Sequence, residues 1–367
     1  GEMTAIEPVK MQLNNLDWEI VTQSNLGIDF GFFGDKLTFS FDLYDKLTTN
    51  MLQKNVSISS STGYSEVAWF NSGKMSNRGW EFYLNYELLR NKDWNLQFNF
   101  NIAQNRNQVI ELPSNKTDFN YAFKNGAYAY KLVEGDPLGS FYGYKYLGVY
   151  QNVDETYARD ASGKQIYDIN GKPVFMRNND IKAYPGDAKY LDVNSDGVIN
   201  QYDIVYLGNS NPTMIGGFGI NFSYKTFGLV ANFHGRLGQK AINQAQIDME
   251  NMYGRNNQST AVIKRWRREG DNTEIPRALF DRGYNYLGSD RFVEDASFLR
   301  MKTITLKYAL PRDLVSKTSF QKVELYLTGY DLFTYSKYTG QDPEVPMSRV
   351  DGIYEVALDR ASTPKPL

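Results

Sequence analysis

The sequence predicts an all-β protein, a transmembrane antiparallel β-barrel with long extracellular loops. Three observations predict it. Apolar and polar residues alternate strictly through ribbons on either side of tight turns. The connections between ribbons run short, long, short, long along the chain. No apolar run approaches the roughly 18 residues of a membrane helix, so any membrane span must be built from strands. Alternation alone does not say whether the apolar face meets lipid or a dry protein core. The sorting of link lengths does bear on it, because outer-membrane barrels keep short turns on one side and long loops on the other.

Taken in order, Trp18 to Phe33 sets Leu26, Ile28, Phe30 and Phe32 against Asn25, Gly27, Asp29 and Gly31. After a turn at Gly34 to Lys36, Leu37, Phe39, Phe41 and Leu43 oppose Thr38, Ser40 and Asp42. A Ser-rich link covers about Lys54 to Tyr64. Trp80, Phe82, Leu84, Tyr86 and Leu88 then alternate with Glu81, Tyr83, Asn85 and Glu87. Beyond a turn at Arg90 to Asp93, Trp94, Leu96, Phe98, Phe100 and Ile102 alternate with Asn95, Gln97, Asn99 and Asn101. So many amides and charges on one face suit water and not a dry core.

The clearest hairpin spans Met214 to Gly238. Phe218, Ile220, Phe222 and Tyr224 share a face before the turn; Phe227, Leu229, Ala231, Phe233 and Leu237 share it afterwards, and Val230 alone breaks the pattern. Asn232, His234 and Arg236 fall on the polar side. Two further strands follow, with Ile304, Leu306 and Tyr308 opposite Thr303, Thr305 and Lys307, then Val323, Leu325 and Leu327 opposite Glu324, Tyr326 and Thr328. The total is about eight strands.

Two connections are too long for ordinary links. Residues from about 105 to 213, rich in Gly, Asn, Asp and Tyr, form an insert or subdomain, and residues from about 239 to 294 form another. Within the second, Ser259 is placed to cap a helix containing Ala261, Ile263 and Trp266.

Composition agrees. Aromatic residues make up 15%, with 27 Tyr, 22 Phe, 5 Trp and 30 Gly, as expected of strands with aromatic ends and small inward residues. A negative mean hydropathy is what a wet lumen and long polar loops would leave. The net charge of -2 gives no reason to propose nucleic acid. With one His and no Cys, His-based triads and thiolate sites are nearly excluded, and Asp29, Asp42 and Glu81 read as lumen lining, so no enzyme is expected.

Several segments resemble the SusC/RagA type of TonB-dependent outer-membrane transporter. They are LDWEIVTQSNLGIDFGFFGDKLTFSFDLYDKLT, GDAKYLDVNSDGVINQYDIVYLGNSNPTMIGGF, RWRREGDNTEIPR, RFVEDASFLRMKTITLKYALP and YDLFTYSKYTGQDPEV. The resemblance implies that residues 1–367 are the C-terminal portion of a roughly 22-stranded barrel, incomplete in this chain, placed as a multi-pass barrel in the cell outer membrane. It further implies nutrient uptake of oligosaccharides or peptides, a SusD-like surface lipoprotein as lid, and TonB acting through an N-terminal segment. The plug, TonB box and final strand are expected to lie outside these residues.

Asp192, Asn194, Asp196, Val198 and Asp203 have calcium-loop spacing: side-chain oxygens at positions one, three, five and twelve, Gly197 at six, and the Val198 carbonyl at seven. Asp in place of Glu at twelve resembles dockerin-type loops. A loop of Asx turns with no ion has the same composition, and a bound Ca2+ here would be structural. Asn232, His234 and Arg236 are substrate-contact candidates in the lumen, against the alternative of satisfied polar lining. Lys264, Arg265, Arg267 and Arg268 suit anionic groups or simply a solvated helix end. Tyr121, Tyr128, Tyr130, Tyr142 and Tyr144 suit sugar stacking or packing on one another. Against the importer stand a passive outer-membrane barrel and a secreted carbohydrate-binding β-protein with a calcium loop.

Overall fold

The computed structural model describes residues 10–11, 13, 16–57, 60–64, 66–112, 122–129, 131–317, 319–345, 347–350 and 354–359. Its main element is one eight-stranded antiparallel sheet in sequential order, each strand hydrogen-bonded to the next. The strands are β1 (Ile20–Phe32), β2 (Leu37–Thr49), β3 (Lys74–Arg90), β4 (Trp94–Glu111), β5 (Met214–Tyr224), β6 (Phe227–Leu237), β7 (Phe298–Ala309) and β8 (Glu324–Ser336).

Period-two alternation becomes two kinds of row across the sheet. One runs Phe30, Phe39, Leu84, Phe100, Phe218, Phe233, Met301, Phe333, each residue paired with the next through all eight strands. The neighbouring row on the other face runs Asp29, Ser40, Tyr83, Asn101, Gly217, His234, Arg300, Thr334. Among the described residues no second sheet covers the apolar rows: Leu26 is 62% exposed and Leu327 71%. Most buried apolar side chains belong to the long connections instead. That is the opposite of a sandwich, in which the apolar faces of two sheets form the core.

At the short-link end, Trp94, Tyr224, Phe227 and Tyr308 form a paired aromatic row. Links 33–36, 91–93, 225–226 and 310–323 close this end, the last holding a short helix, Arg312–Val315. Links 50–73, 112–213 and 238–297 leave from the other end. The barrel is not closed within this chain, for β1 and β8 are the two edges of the sheet.

The two longest links pack on one another. Tyr128 and Phe141 of the first join Ile242, Ile247, Met252, Val262, Tyr286 and Phe292 of the second in one core cluster. Leu287 of the second enters the cluster built by Tyr144, Tyr150, Met176, Tyr190 and Ile199. Single bridges Asn125 to Leu287 and Tyr144 to Ser289 tie the backbones together.

Three sequence expectations are corrected. The insert expected from about residue 105 begins later, because β4 continues its ladder to Glu111, opposite Lys74. Leu88 is not on the apolar face of the ladder; a bulge leaves it unpaired, and Leu89 pairs with Leu96. Ser259 does cap, accepting from the Ala261 amide, but the helix is a single 3-10 segment, Thr260–Lys264, and Trp266 lies beyond it. The α-helix of this link is Gln244–Glu250, capped by Asn243.

Candidate functional site

On the polar face, β6 presents Asn232, His234 and Arg236 together, as the alternation requires. Asn232 Nδ2 donates to Thr303 Oγ1 of β7 at 3.0 Å. Glycine keeps this face open: a Cβ at Gly219 would come within 2.7 Å of Asn99 Oδ1 and 2.8 Å of Asn232 Oδ1.

His234 and Arg236 converge on a residue far away in sequence. Glu344 lies 3.5 Å from His234 Nε2 and 3.4 Å from Arg236 Nη2 through Oε1. Its Oε2 accepts from Arg300 Nη1 at 2.9 Å and lies 3.6 Å from Lys302 Nζ. Arg300 is 7% exposed. It also donates from Nη2 to Asp342 Oδ1 at 2.5 Å and from Nε to Thr334 Oγ1 at 2.9 Å. Lys302 has Asp331 at 3.3 Å. The result is an ion-pair hub that pins the segment after β8 to the wall formed by β6 and β7. His234 packs edge-on to Phe298, with ring centroids 5.1 Å apart.

The alternation put His234 and Arg236 on the polar face, where the ladder has them, but did not single out Arg300, Asp342 or Glu344. A signal was present in Arg300, two residues from Phe298 and a strand's width from His234. It was obscured because β7 carries a bulge at Lys302, which shifts the alternation between Met301 and Thr303.

The calcium-like loop lies in the packed connection. Asp192 accepts from the amides of Gly197 at 2.8 Å and Asp196 at 3.3 Å. Asp196 accepts from the Val198 amide at 2.7 Å and from Asn194 Nδ2 at 2.9 Å. The Val198 carbonyl accepts from Asn200 Nδ2 at 3.2 Å. Asp203, fully buried, accepts from the Val193 and Asn200 amides, each at 2.8 Å. Among the described residues no three His, Cys, Asp or Glu side chains gather at metal-holding spacing. Yet burial raises the Asp203 carboxyl above the usual range, two backbone amides oppose that, and the charges of Asp192 and Asp196 add to it. Each carboxylate oxygen keeps a further lone pair.

The remaining candidates are placed less suggestively. Tyr128, Tyr142 and Tyr144 are buried, which leaves no face for a sugar; Tyr121 and Tyr130 lie outside the described residues. Of the basic group, Arg265 Nη1 and Arg267 Nη2 donate to the Val262 and Ile263 carbonyls, and the Arg267 and Arg268 amides donate to Asp271. That is local end-capping of the 3-10 turn.

Comparison with known proteins agrees with this geometry. A family model described as TonB dependent receptor-like, beta-barrel, matches residues 2–184. TonB-dependent receptor P3 of Formosa agariphila is 30% identical over 338 residues, covering 90% of this chain and 31% of that protein. TonB-dependent receptor SusC of Bacteroides thetaiotaomicron is 27% identical over 348 residues, covering 90% and 30%. The RagAB peptide importer in its closed-closed state is 25% identical with a TM-score of 0.64, over 90% of this chain and 33% of that one. The open-open state, at 23% identity and a TM-score of 0.67, shares the fold over 93% of this chain and 33% of that one. The chain spans about a third of the length of the curated relatives it matches.

Proposed function

Because the chain belongs to the TonB-dependent receptor-like β-barrel family, we propose that it forms wall and mouth of a SusC/RagA-type importer in the outer membrane. On this reading the protein is driven through TonB, takes up oligosaccharides or peptides, and works under a SusD-like surface lipoprotein. The observation that carries the reading is the eight-strand apolar row, left uncovered by any second sheet, with the longest links folded into one body at the opposite end from the aromatic row. Lipid is the solvent that such a row suits.

The polar face then lines a water-filled path. Asn232, His234 and Arg236 contact cargo on that path, and the Glu344 hub keeps the segment after β8 against the wall while cargo passes. A peptide cargo is supported by the likeness to RagAB, described as a peptide importer. Loop 192–203 serves as a structural Ca2+ site, in which the cation would be held by Asp192, Asn194, Asp196 and Asp203 and would offset the crowding of three carboxylates.

The test uses the absence of Cys in this chain. Single Cys at Leu229 and at Asn232, in the full-length protein with any Cys outside these residues replaced by Ser, should react oppositely in native outer membrane with a water-soluble maleimide, with Asn232→Cys labelled and Leu229→Cys protected. Equal labelling of both would remove the lipid-facing assignment. Uptake that persists without TonB would leave a passive barrel.

A further inference from the structure

A cleft of about 340 Å³ opens in the packed loop body, between the small hairpin Arg177–Asn178 with Ile181–Lys182 and the segment 277–285. Asn178, Lys182, Tyr184, Arg277, Arg282 and Tyr284 face it. Its volume is near the lower end for small-molecule sites.

The frame of this cleft is rigid. Arg277 holds Asp187 with two bonds, Nε to Oδ1 at 2.7 Å and Nη2 to Oδ2 at 3.1 Å. Asn285 donates to Asp187 and to the Arg277 carbonyl, and accepts from the Ala188 amide. Gly186 lies against the Trp266 ring at φ +87, where a Cβ would come 2.2 Å from a ring carbon. These contacts fix both walls before anything binds.

The groups left over are the informative ones. Asn178 is only 5% exposed, and its side-chain amide, which makes no hydrogen bond with the described residues, opens to the water of the cleft. Arg282 is exposed and makes no hydrogen bond or ion pair with the described residues. Lys182 has no carboxylate partner among the described residues; its Nζ sits 3.2 Å from the Phe175 ring centroid and 5.4 Å from that of Tyr184. Three cations therefore meet one carboxylate, Asp187, which Arg277 already neutralises. Beside them the Tyr184 ring is 49% exposed.

We propose that this cleft binds an acidic sugar, one pyranose ring bearing a carboxylate. Arg282 and Lys182 take the carboxylate, the first through its planar fork. Asn178, both donor and acceptor, takes ring hydroxyls. Tyr184 supplies the flat apolar surface against which a ring stacks. A peptide is the poorer fit, because the cleft has the volume of a single ring and the one strand edge beside it, Ile181–Lys182, is only two residues long. The inference goes beyond import, since binding here is read without transport.

The experiment is calorimetric titration of the full-length protein in detergent with trigalacturonate, maltotriose and triglutamate. Trigalacturonate binds; Arg282→Ala and Lys182→Ala each weaken it by about tenfold, the order of one charged hydrogen bond in a wet cleft. Arg282→Lys keeps the charge but loses the fork, so it retains only part of the affinity, and Tyr184→Ala weakens trigalacturonate and maltotriose alike. Arg282 touches nothing that holds the fold, and heat-modifiable gel mobility checks that each variant is folded. Trigalacturonate affinity unchanged in both Ala variants, or maltotriose binding as tightly as trigalacturonate, overturns the proposal. Triglutamate binding as tightly, with the same loss in the Ala variants, assigns the cleft to acidic peptides and overturns it too. Loss of uptake without loss of this binding would count against the import path alone.

Discussion

Arg300 Nη1 donates to Glu344 Oε2 at 2.9 Å, joining β7 to a segment that no strand pairing connects to it. The guanidinium is nearly buried and has two carboxylates and a hydroxyl around it, whereas Glu344 keeps 24% of its side chain exposed. Water therefore screens part of the pair, and its worth is below that of a dry ion pair. Arg300→Ala removes three hydrogen bonds from the hub and leaves Glu344 to His234, Arg236 and Lys302.

We expect Arg300→Ala to lower stability by about 1–3 kcal/mol, the range for stranding a partly buried charged acceptor. Asp342→Ala costs less, under about 1 kcal/mol, since Asp342 is 53% exposed. A double-mutant cycle between Arg300 and Glu344, read by urea unfolding in detergent, measures the coupling. Additive single effects would mean that the hub is no more than adjacency.

The Phe218 and Phe233 rings stack with centroids 4.4 Å apart at the middle of the apolar row. Phe233→Lys puts a charge where lipid is expected and should cost about 2–4 kcal/mol. Asn232→Lys, one residue away on the wet face, should fold almost normally. The fraction of heat-modifiable protein on a gel reads both. Similar yields for the two variants contradict the facing.

The eight strands were legible because a half-buried strand writes its facing into every second residue. That code is local, and it failed where one residue was added: Leu88 and Lys302 each sit at a bulge, and beyond them odd and even positions exchange faces. The Glu344 hub was illegible for a different reason. Arg236 and Glu344 are 108 residues apart, and their meeting depends on how strands and links close in space. Loop-body residues such as Tyr144 and Leu287 follow no period, so their shared core had no sequence signature. Asn178 read as an ordinary loop residue until its burial was visible.

Several tyrosines of the loop body are buried, and burial pushes Tyr146, Tyr150 and Tyr190 well above the ordinary phenol range. Tyr286 rises from 10.0 to about 12 by burial. A folded value above the unfolded one gives stability that is complete below pH 10.0 and lost as pH climbs through about 12. Phenolate absorbance should therefore show the buried set ionising late, together with unfolding of the loop body. Smooth titration of all tyrosines near their ordinary value would mean that this body is not packed as described.

Asp203 obeys the same sign rule at the acid end. Burial raises its carboxyl above 3.8, and Asp192 and Asp196 push it the same way. Its contribution is full below that ordinary value and declines as pH rises through the raised one, so at neutral pH the loop carries a repulsive cost. A cation offsets that cost only while the carboxylates are charged. Millimolar Ca2+ should then raise the melting temperature at neutral pH, do so more than Mg2+, and lose its effect as the carboxylates protonate. Asp192→Asn, which keeps an acceptor for the Gly197 amide, should weaken the Ca2+ response while leaving the calcium-free melting temperature nearly unchanged. Identical melting curves in Ca2+ and in chelator would reduce the loop to a set of Asx turns that hold themselves.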